Sequence, residues 1–172
     1  GYQLSDWFRI NLTTGYQVNS VYHSADSDTF FTSLRGDFGT FLNAWDFSFY
    51  YFKQQQGELT GREAIGTEFR YFHPQRSLFG LIDHDILFDR TNTALITGTW
   101  ITDSRVSYNA TIDYRLTPLL NIRNATIGQT VRDVEDMLAS FTAEELIDIA
   151  NDRTAEVKSI IAGLSYPVNE RY

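Results

Sequence analysis

Between Ser104 and Leu116 the chain reads SRVSYNATIDYRL, an alternation with almost no fault in it. Val106, Tyr108, Ala110, Ile112, Tyr114 and Leu116 share one parity, and Arg105, Ser107, Asn109, Thr111, Asp113 and Arg115 share the other. Successive side chains of an extended strand point to opposite faces, so this segment is a ribbon with one apolar and one polar side. Similar alternation recurs along most of the chain, in segments near the ~9–11 residues that a tilted strand needs to cross a bilayer. The repetition at that length turns a half-buried strand into a transmembrane β-barrel expectation.

Composition agrees. Hydrophobic residues make up 42% of the 172 and aromatic ones 15%, with 13 Phe, 10 Tyr and 3 Trp. Mean hydropathy is nevertheless only −0.28. That mixture is awkward for an ordinary soluble core and natural for a polar-lined barrel with aromatic girdles. The absence of cysteine excludes a disulfide scaffold and cysteine metal sites. No run approaches the ~20 apolar residues of a transmembrane helix, so any span is β. A net charge of −8 argues against a nucleic-acid partner. Residues 130–156 hold most of that charge: eight acidic residues stand there against Arg132 and Arg153. The chain opens at Gly1 without a signal peptide, and SYPVNERY does not alternate as a closing strand would, so it reads as a fragment or the ordered part of something longer.

Period-2 matching yields eight strands, at about 6–18, 29–36, 41–53, 63–72, 78–88, 93–102, 104–116 and 154–166. The connectors at 19–28, 54–62, 89–92 and 117–153 fall on one side of the sheet. Three of those four are long. DFGT (37–40), HPQRS (73–77), TDS (102–104) and PVNE (167–170) fall on the other side and are short. Long loops outside and short periplasmic turns are the habit of outer-membrane barrels. With that parity Trp7, Tyr71 and Trp100 lie near the periplasmic strand ends and Tyr16 and Tyr51 near the outer ends. They would form two aromatic girdles, while Trp45 falls near mid-strand. A hairpin about TDS would set Trp100 opposite Val106, Ile96 opposite Ala110, and Tyr108 over Gly98.

The long excursion reads as a two-helix insertion at about 130–152. Thr130 can cap VRDVEDMLASF, with Val131, Val134, Leu138 and Phe141 as its stripe. Thr142 and Glu145 form a capping box that opens a second helix carrying Leu146, Ile149 and Ala150. The barrel lumen, the barrel rim or a partner chain are the surfaces open to those stripes.

Chemistry-bearing constellations are sparse. There is no phosphate loop, no His/Cys cluster and no nucleophile elbow, so neither cofactor nor metal is expected. His23, His73 and His84 are not gathered by spacing. In Asp83-His84-Asp85 the alternation puts the imidazole on the face opposite both carboxylates, which spoils a catalytic group built from these three. The chain is therefore not read as an enzyme. Arg70, Asp83, Asp85, Asp89, Arg105, Asn109, Asp113 and Arg115 are the candidate lumen-facing polar residues. Their closely mixed signs suggest mutual pairing across a filled interior rather than a single-sign filter. The sequons at Asn11, Asn109 and Asn124 carry little weight, because two of them sit inside strands.

The stretches RSLFGLIDHDI (76–86), LLNIRNA (119–125) and NDRTA (151–155) resemble the C-terminal region of large Gram-negative outer-membrane proteins that carry tetratricopeptide repeats before a β-barrel. The likeness covers roughly residues 60–172. It implies residence in the bacterial outer membrane, with periplasmic helical repeats upstream. The expectation is an all-β, antiparallel up-and-down transmembrane barrel of about eight strands across residues 1–172, or part of a larger one. Residues 117–153 would be its helical insertion. Its partners would be the lipid bilayer together with a periplasmic repeat domain, other envelope proteins or further copies of itself. It would act as a pore or export channel, or as the membrane anchor of a larger envelope assembly. The alternatives are a structural barrel plugged by its insert, a soluble β-sandwich, or an outer-membrane hydrolase.

Overall fold

The computed structural model describes residues 1–19, 27–41, 44–131 and 133–168. Its strands are β1 (Tyr2–Ser5), β2 (Phe8–Asn19), β3 (Ser27–Phe41), β4 (Trp45–Gln56), β5 (Leu59–His73), β6 (Arg76–Asp85), β7 (Arg90–Ile101), β8 (Ser107–Thr117) and β9 (Ala155–Ser165). They form one nine-stranded sheet in chain order, each strand antiparallel to the next. The all-β, up-and-down reading holds. The sheet is open, however: β1 and β9 are its two edges and do not meet.

Each of the eight expected strands has its counterpart, and β1 is a ninth that periodicity missed because four residues are too few to show a period. Two turns move. DFGT is not a turn, since Asp37–Phe41 complete β3 and the chain reverses only before Trp45. The 54–62 segment is not a long loop either. β4 and β5 run on to Gln56 and from Leu59, joined by Gly57 and Glu58 alone, with Gly57 at φ 55 in the left-handed region that glycine tolerates. A QQQ run has poor strand propensity, but cross-strand pairing of Gln54, Gln55 and Gln56 with Arg62, Thr60 and Leu59 overrides it. The contrast between long and short connectors therefore rests on residues 118–154 and on the 20–26 connection, which lies outside the described residues, as does His23.

The β7–β8 register also differs from expectation. Trp100 faces Tyr108, Gly98 faces Ala110, Ile96 faces Ile112 and Thr97 faces Thr111. The shift is two residues, so every side chain keeps its face while its partner changes. Its cause is the turn, which spans Thr102–Val106 rather than TDS. Thr102 N–H donates to the Val106 carbonyl (2.9 Å), Arg105 N–H donates to the Thr102 carbonyl (2.9 Å), and Arg105 takes φ 63. Gly98 is thus not covered by Tyr108. Aromatic cover of a strand glycine occurs instead at Gly15 under Phe31, Gly66 under Tyr50 and Gly80 under Phe69, each a directly paired residue.

One face parity runs through all these pairings. Phe8, Leu12, Leu34, Phe47, Phe49, Ile65, Phe69, Ile82, Ile96, Ile112 and Ile160 share a side, and Arg35, Asp37, Ser48, Tyr50, Arg62, Glu68, Asp83, Thr97 and Asp113 share the other. On the apolar side Leu12 is 64% exposed, Phe49 54%, Ile112 55% and Ile160 80%.

The insertion folds onto the strand ends that carry the β4–β5 turn, the outer ends of the expected topology. It comprises a 3-10 turn at Ile122–Thr126, α1 (Val134–Met137) and α2 (Ala143–Asp152). The capping box is present: Glu145 N–H donates to Thr142 Oγ1, and Thr142 N–H donates to the Glu145 carboxylate. The first helix is much shorter than VRDVEDMLASF and starts at Asp133, not Thr130. Val134 and Met137 are buried, while Val131, Leu138 and Phe141 stay exposed. Asp133 Oδ1 accepts from Glu135 N–H (3.0 Å) and so sets the helix start. Leu146 and Ala150 of α2 join Phe88, Leu116, Leu120, Ile122 and Ala125 in the buried apolar core.

Two outcomes follow. Replacing Leu146 by Ala should lower the unfolding free energy of the insertion by about 2–5 kcal/mol, because it leaves a cavity in that core; proteolysis within 118–154 should accelerate accordingly. Arg105→Gly should raise stability by roughly 0.5–1 kcal/mol by relieving the left-handed backbone, read as the midpoint of urea unfolding.

Candidate functional site: the polar face and its helical cover

Three ion-paired clusters lie along the polar face. In the first, Arg35 of β3 reaches across β4 to Glu68 of β5 with two bonds, at 3.1 and 2.7 Å, and its Nε holds Asp37 at 2.7 Å. Asp37 also accepts from Ser48 Oγ and Asn11 Nδ2, each at 2.8 Å. The forked guanidinium suits this span, because a planar donor pair matches a carboxylate in a fixed direction. Arg70 adds a longer contact to Glu68 at 3.6 Å and is otherwise exposed over the Phe79 ring.

The second cluster is more buried. Tyr50, Gly66 and Asp83 follow one another in a single cross-strand row. With no β-carbon on Gly66, the Tyr50 ring lies flat over the β5 backbone and its hydroxyl donates to Asp83 Oδ2 at 2.6 Å. Arg62 Nη2 donates to the other Asp83 oxygen at 2.6 Å, and its Nε stands 3.4 Å from Asp85 Oδ2. Asp85 Oδ1 accepts from the backbone N–H groups of Leu87 and Phe88 at 3.0 and 3.2 Å. One arginine therefore offsets two carboxylates that are 5% and 0% exposed. The third cluster pairs Asp113 with Arg115, beside the Thr97–Thr111 hydroxyl contact at 2.8 Å.

The insertion closes over the outer end of this face. Asn121 Nδ2 donates to Gln54 Oε1 at 3.1 Å, Ile122 lies against Gly61, and the Glu135 carboxylate lies so close to Gly57 that a β-carbon there would overlap it. Leu120 N–H donates to the buried Asn92 Oδ1 at 3.1 Å. On the far side Arg90 ties Asn151 at 2.9 Å and Glu156 at 3.2 Å. The insert is thus fastened from the β4–β5 turn to the start of β9.

Of the residues singled out by sequence, Arg70, Asp83, Asp85, Asn109, Asp113 and Arg115 stand on the polar face. Arg105 does not: it sits in the β7–β8 turn, because β8 begins at Ser107, three residues later than the alternation suggests. Asp89 is exposed in the β6–β7 turn, 3.5 Å from His84. His84 pairs with Ile65 in register and so lies across the sheet from Asp83, while His73 accepts from Gln75 N–H. Among the described residues no group of three His, Asp or Glu side chains is placed to hold a metal. Sequence reasoning missed Arg35, Asp37, Tyr50 and Arg62. The first two pair only when β3 extends beyond Gly36, and Arg62 looked like loop. The Tyr50–Gly66 pairing was the signal that a correct register would have exposed.

One group of aromatic residues gathers at the strand ends opposite the insertion. Trp45 opens β4 with its ring 4.9 Å from Tyr71, so it joins the inner group rather than standing mid-strand. Trp100 and Tyr108 lie 6.3 Å apart at the same end, and Trp7 sits in the β1–β2 turn against Phe8 and Phe38. Tyr16 pairs with Phe30 at the outer end, whereas Tyr51 stands mid-strand, between Leu34 and Ile65, because β4 runs on to Gln56; its hydroxyl donates to Glu63 at 2.7 Å. No described helix is long and apolar enough to cross a membrane. No protein-family model, curated protein or solved structure matches the chain.

Arg62→Ala removes the one cation that, among the described residues, lies within ion-pair distance of Asp83 and Asp85. It should cost about 3–5 kcal/mol by leaving buried carboxylates unpaired, whereas Lys53→Ala, at a pair with Glu63 in which both partners are partly exposed, should change stability by about 1 kcal/mol or less. Gly66→Val should cost roughly 1–3 kcal/mol by lifting Tyr50 off the strand. Urea titrations of the three variants in one micelle system rank them.

Proposed function

We propose that the chain is a wall segment of an outer-membrane β-barrel and the membrane anchor of a larger envelope assembly. A single observation carries this reading: the sheet's apolar face runs from β2 to β9 and, among the described residues, is bare. Leu12, Leu34, Phe49, Ile65, Ile82, Ile96, Ile112 and Ile160 are all exposed, from strand to strand, with no second layer over them. Soluble monomers rarely carry contiguous apolar patches beyond a few hundred Å². A β-sandwich would need a second sheet there, and the insertion packs instead at the strand ends. Strands of eleven or twelve residues, at ~3.3 Å each and tilted by ~40°, rise roughly 25–30 Å, the height of a bilayer's apolar band. The inner aromatic group, Trp7, Trp45, Tyr71, Trp100 and Tyr108, stands where a girdle would.

Anchor is favoured over pore by the polar face. Its charges neutralise one another in place, and the insertion fastens over its outer end. The inner end of that face on β6, β7 and β8 favours a second reading. Ser77, Thr97, Thr99, Asn109 and Thr111 make it hydroxyl-rich and uncharged there, as a path for an exported neutral solute would be. The resemblance of residues 60–172 to repeat-bearing outer-membrane proteins would supply the assembly, with helical repeats in the periplasm. In a bilayer the free backbone groups of β2 and β9 demand partners, so further strands complete the wall.

Ile112→Arg distinguishes the settings. At the bilayer midplane it should cost about 2–4 kcal/mol; on a water-facing surface a residue this exposed should change stability by no more than ~0.5 kcal/mol. Folding of the untreated chain in detergent-free buffer, with Ile112→Arg neutral, would defeat the membrane reading. Planar-bilayer recordings separate the two roles: negligible conductance is expected of an anchor, and discrete steps would carry the export channel instead.

A further inference from the structure

The cations on the apolar face are treated unequally. Near the outer strand ends Lys53 stands 3.3 Å from Glu63, and Lys158 stands 3.0 Å from Glu156. Arg76, the first residue of β6 at the inner end, has no carboxylate within ion-pair distance among the described residues. Its guanidinium rests 5.5 Å from the centre of the Trp100 ring. The turn carboxylate of Asp103 is taken by Gln75 Nε2 at 2.8 Å.

Directly beside Arg76 the face is indented. Gly98 and Ala110, paired across β7 and β8, form a floor between Leu78, Ile96, Ile112 and Tyr108, and the cleft has a volume of about 560 Å³. That is within the range of ligand-sized clefts, and its lining is apolar apart from the Arg76 end. An exposed, unpaired guanidinium at one end of an apolar cleft calls for an anion attached to a hydrocarbon. The planar fork matches a phosphate in two bonds, and the indole face beneath holds it in place.

We propose that Arg76 and this cleft bind one membrane phospholipid. The phosphodiester sits on the Arg76 guanidinium, and an acyl chain lies over Gly98 and Ala110 toward Ile96 and Ile112. The inference rests on the membrane reading above, and it adds a fixed lipid to a face that otherwise meets bulk chains.

The test uses dioleoylphosphatidylglycerol brominated on its acyl chains, titrated into the protein in neutral micelles, with Trp100 as the sole tryptophan (Trp7→Phe, Trp45→Phe). Quenching of Trp100 should saturate near one lipid per chain. Arg76→Gln should weaken binding at least tenfold, Arg76→Lys should restore part of it, and Ala110→Phe should abolish saturation while unfolding remains cooperative. Inorganic phosphate at millimolar concentration should not displace the lipid; displacement would make this a phosphate site without a chain cleft and overturn the proposal. Non-saturating quenching unaffected by Arg76→Gln and Ala110→Phe would overturn it as well. Three variants in brominated bilayers, each keeping only Trp7, Trp45 or Trp100, separate the two levels. If Trp7 and Trp45 are quenched but Trp100 shows no lipid of its own, only the bound lipid is refuted; if none of the three is quenched, the membrane reading falls too.

Discussion

Everything in this molecule depends on face parity surviving eight successive hairpins. Side chains alternate with a period of two, so a slip of one residue at any turn would send a whole strand's apolar set to the wrong side. The register crosses irregularities near Ser5, between Phe38 and Phe41, at Gln54–Gln55 and at Asp83–His84, yet Phe8 and Ile160 still share a face. Where an extra residue enters, it does so near a strand end. The middle rows, where Leu12, Leu34, Ile65, Ile96 and Ile112 stand, are undisturbed.

That constraint explains why the polar side can be so densely charged. With most of the exposed aliphatic side chains on the other face, Arg35 reaches Glu68 two strands away, and Arg62, over the Phe52 ring, reaches Asp83 and Asp85 on the next strand. Glycine makes room for this. Tyr50 reaches Asp83 only because Gly66, between them, has no side chain. A buried Arg–Asp–Asp cluster is a poor source of net stability, since desolvation offsets much of the attraction. Its Asp85 carboxylate also holds the Leu87 and Phe88 N–H groups, next to the core that Phe88 shares with the insertion.

Much of the architecture was legible in the chain itself, and the boundary of what was legible is physical. Alternation located each long strand because it reports face exposure directly, and the Thr142–Glu145 box was found because capping is a local interaction. The β7–β8 partners were misread by two residues because turn length is set by backbone hydrogen bonds around Thr102, which leave no period in the sequence. The helix expected from Thr130 to Phe141 shrinks to one turn because tertiary burial is available only to Val134 and Met137. The Arg35–Glu68 and Tyr50–Asp83 links join residues more than thirty positions apart, and they become visible only after three strands are in register.

The strand count has a consequence of its own. In a meander of nine antiparallel strands, β1 and β9 point the same way, so joining them directly would create a parallel seam. The same holds if identical sheets are set edge to edge in a ring, β9 of one against β1 of the next. A cylinder sewn only with antiparallel seams has an even number of staves. A cylinder that included this sheet would therefore need an odd number of additional ones, unless β1 yielded its place and let β9 meet β2 head to tail.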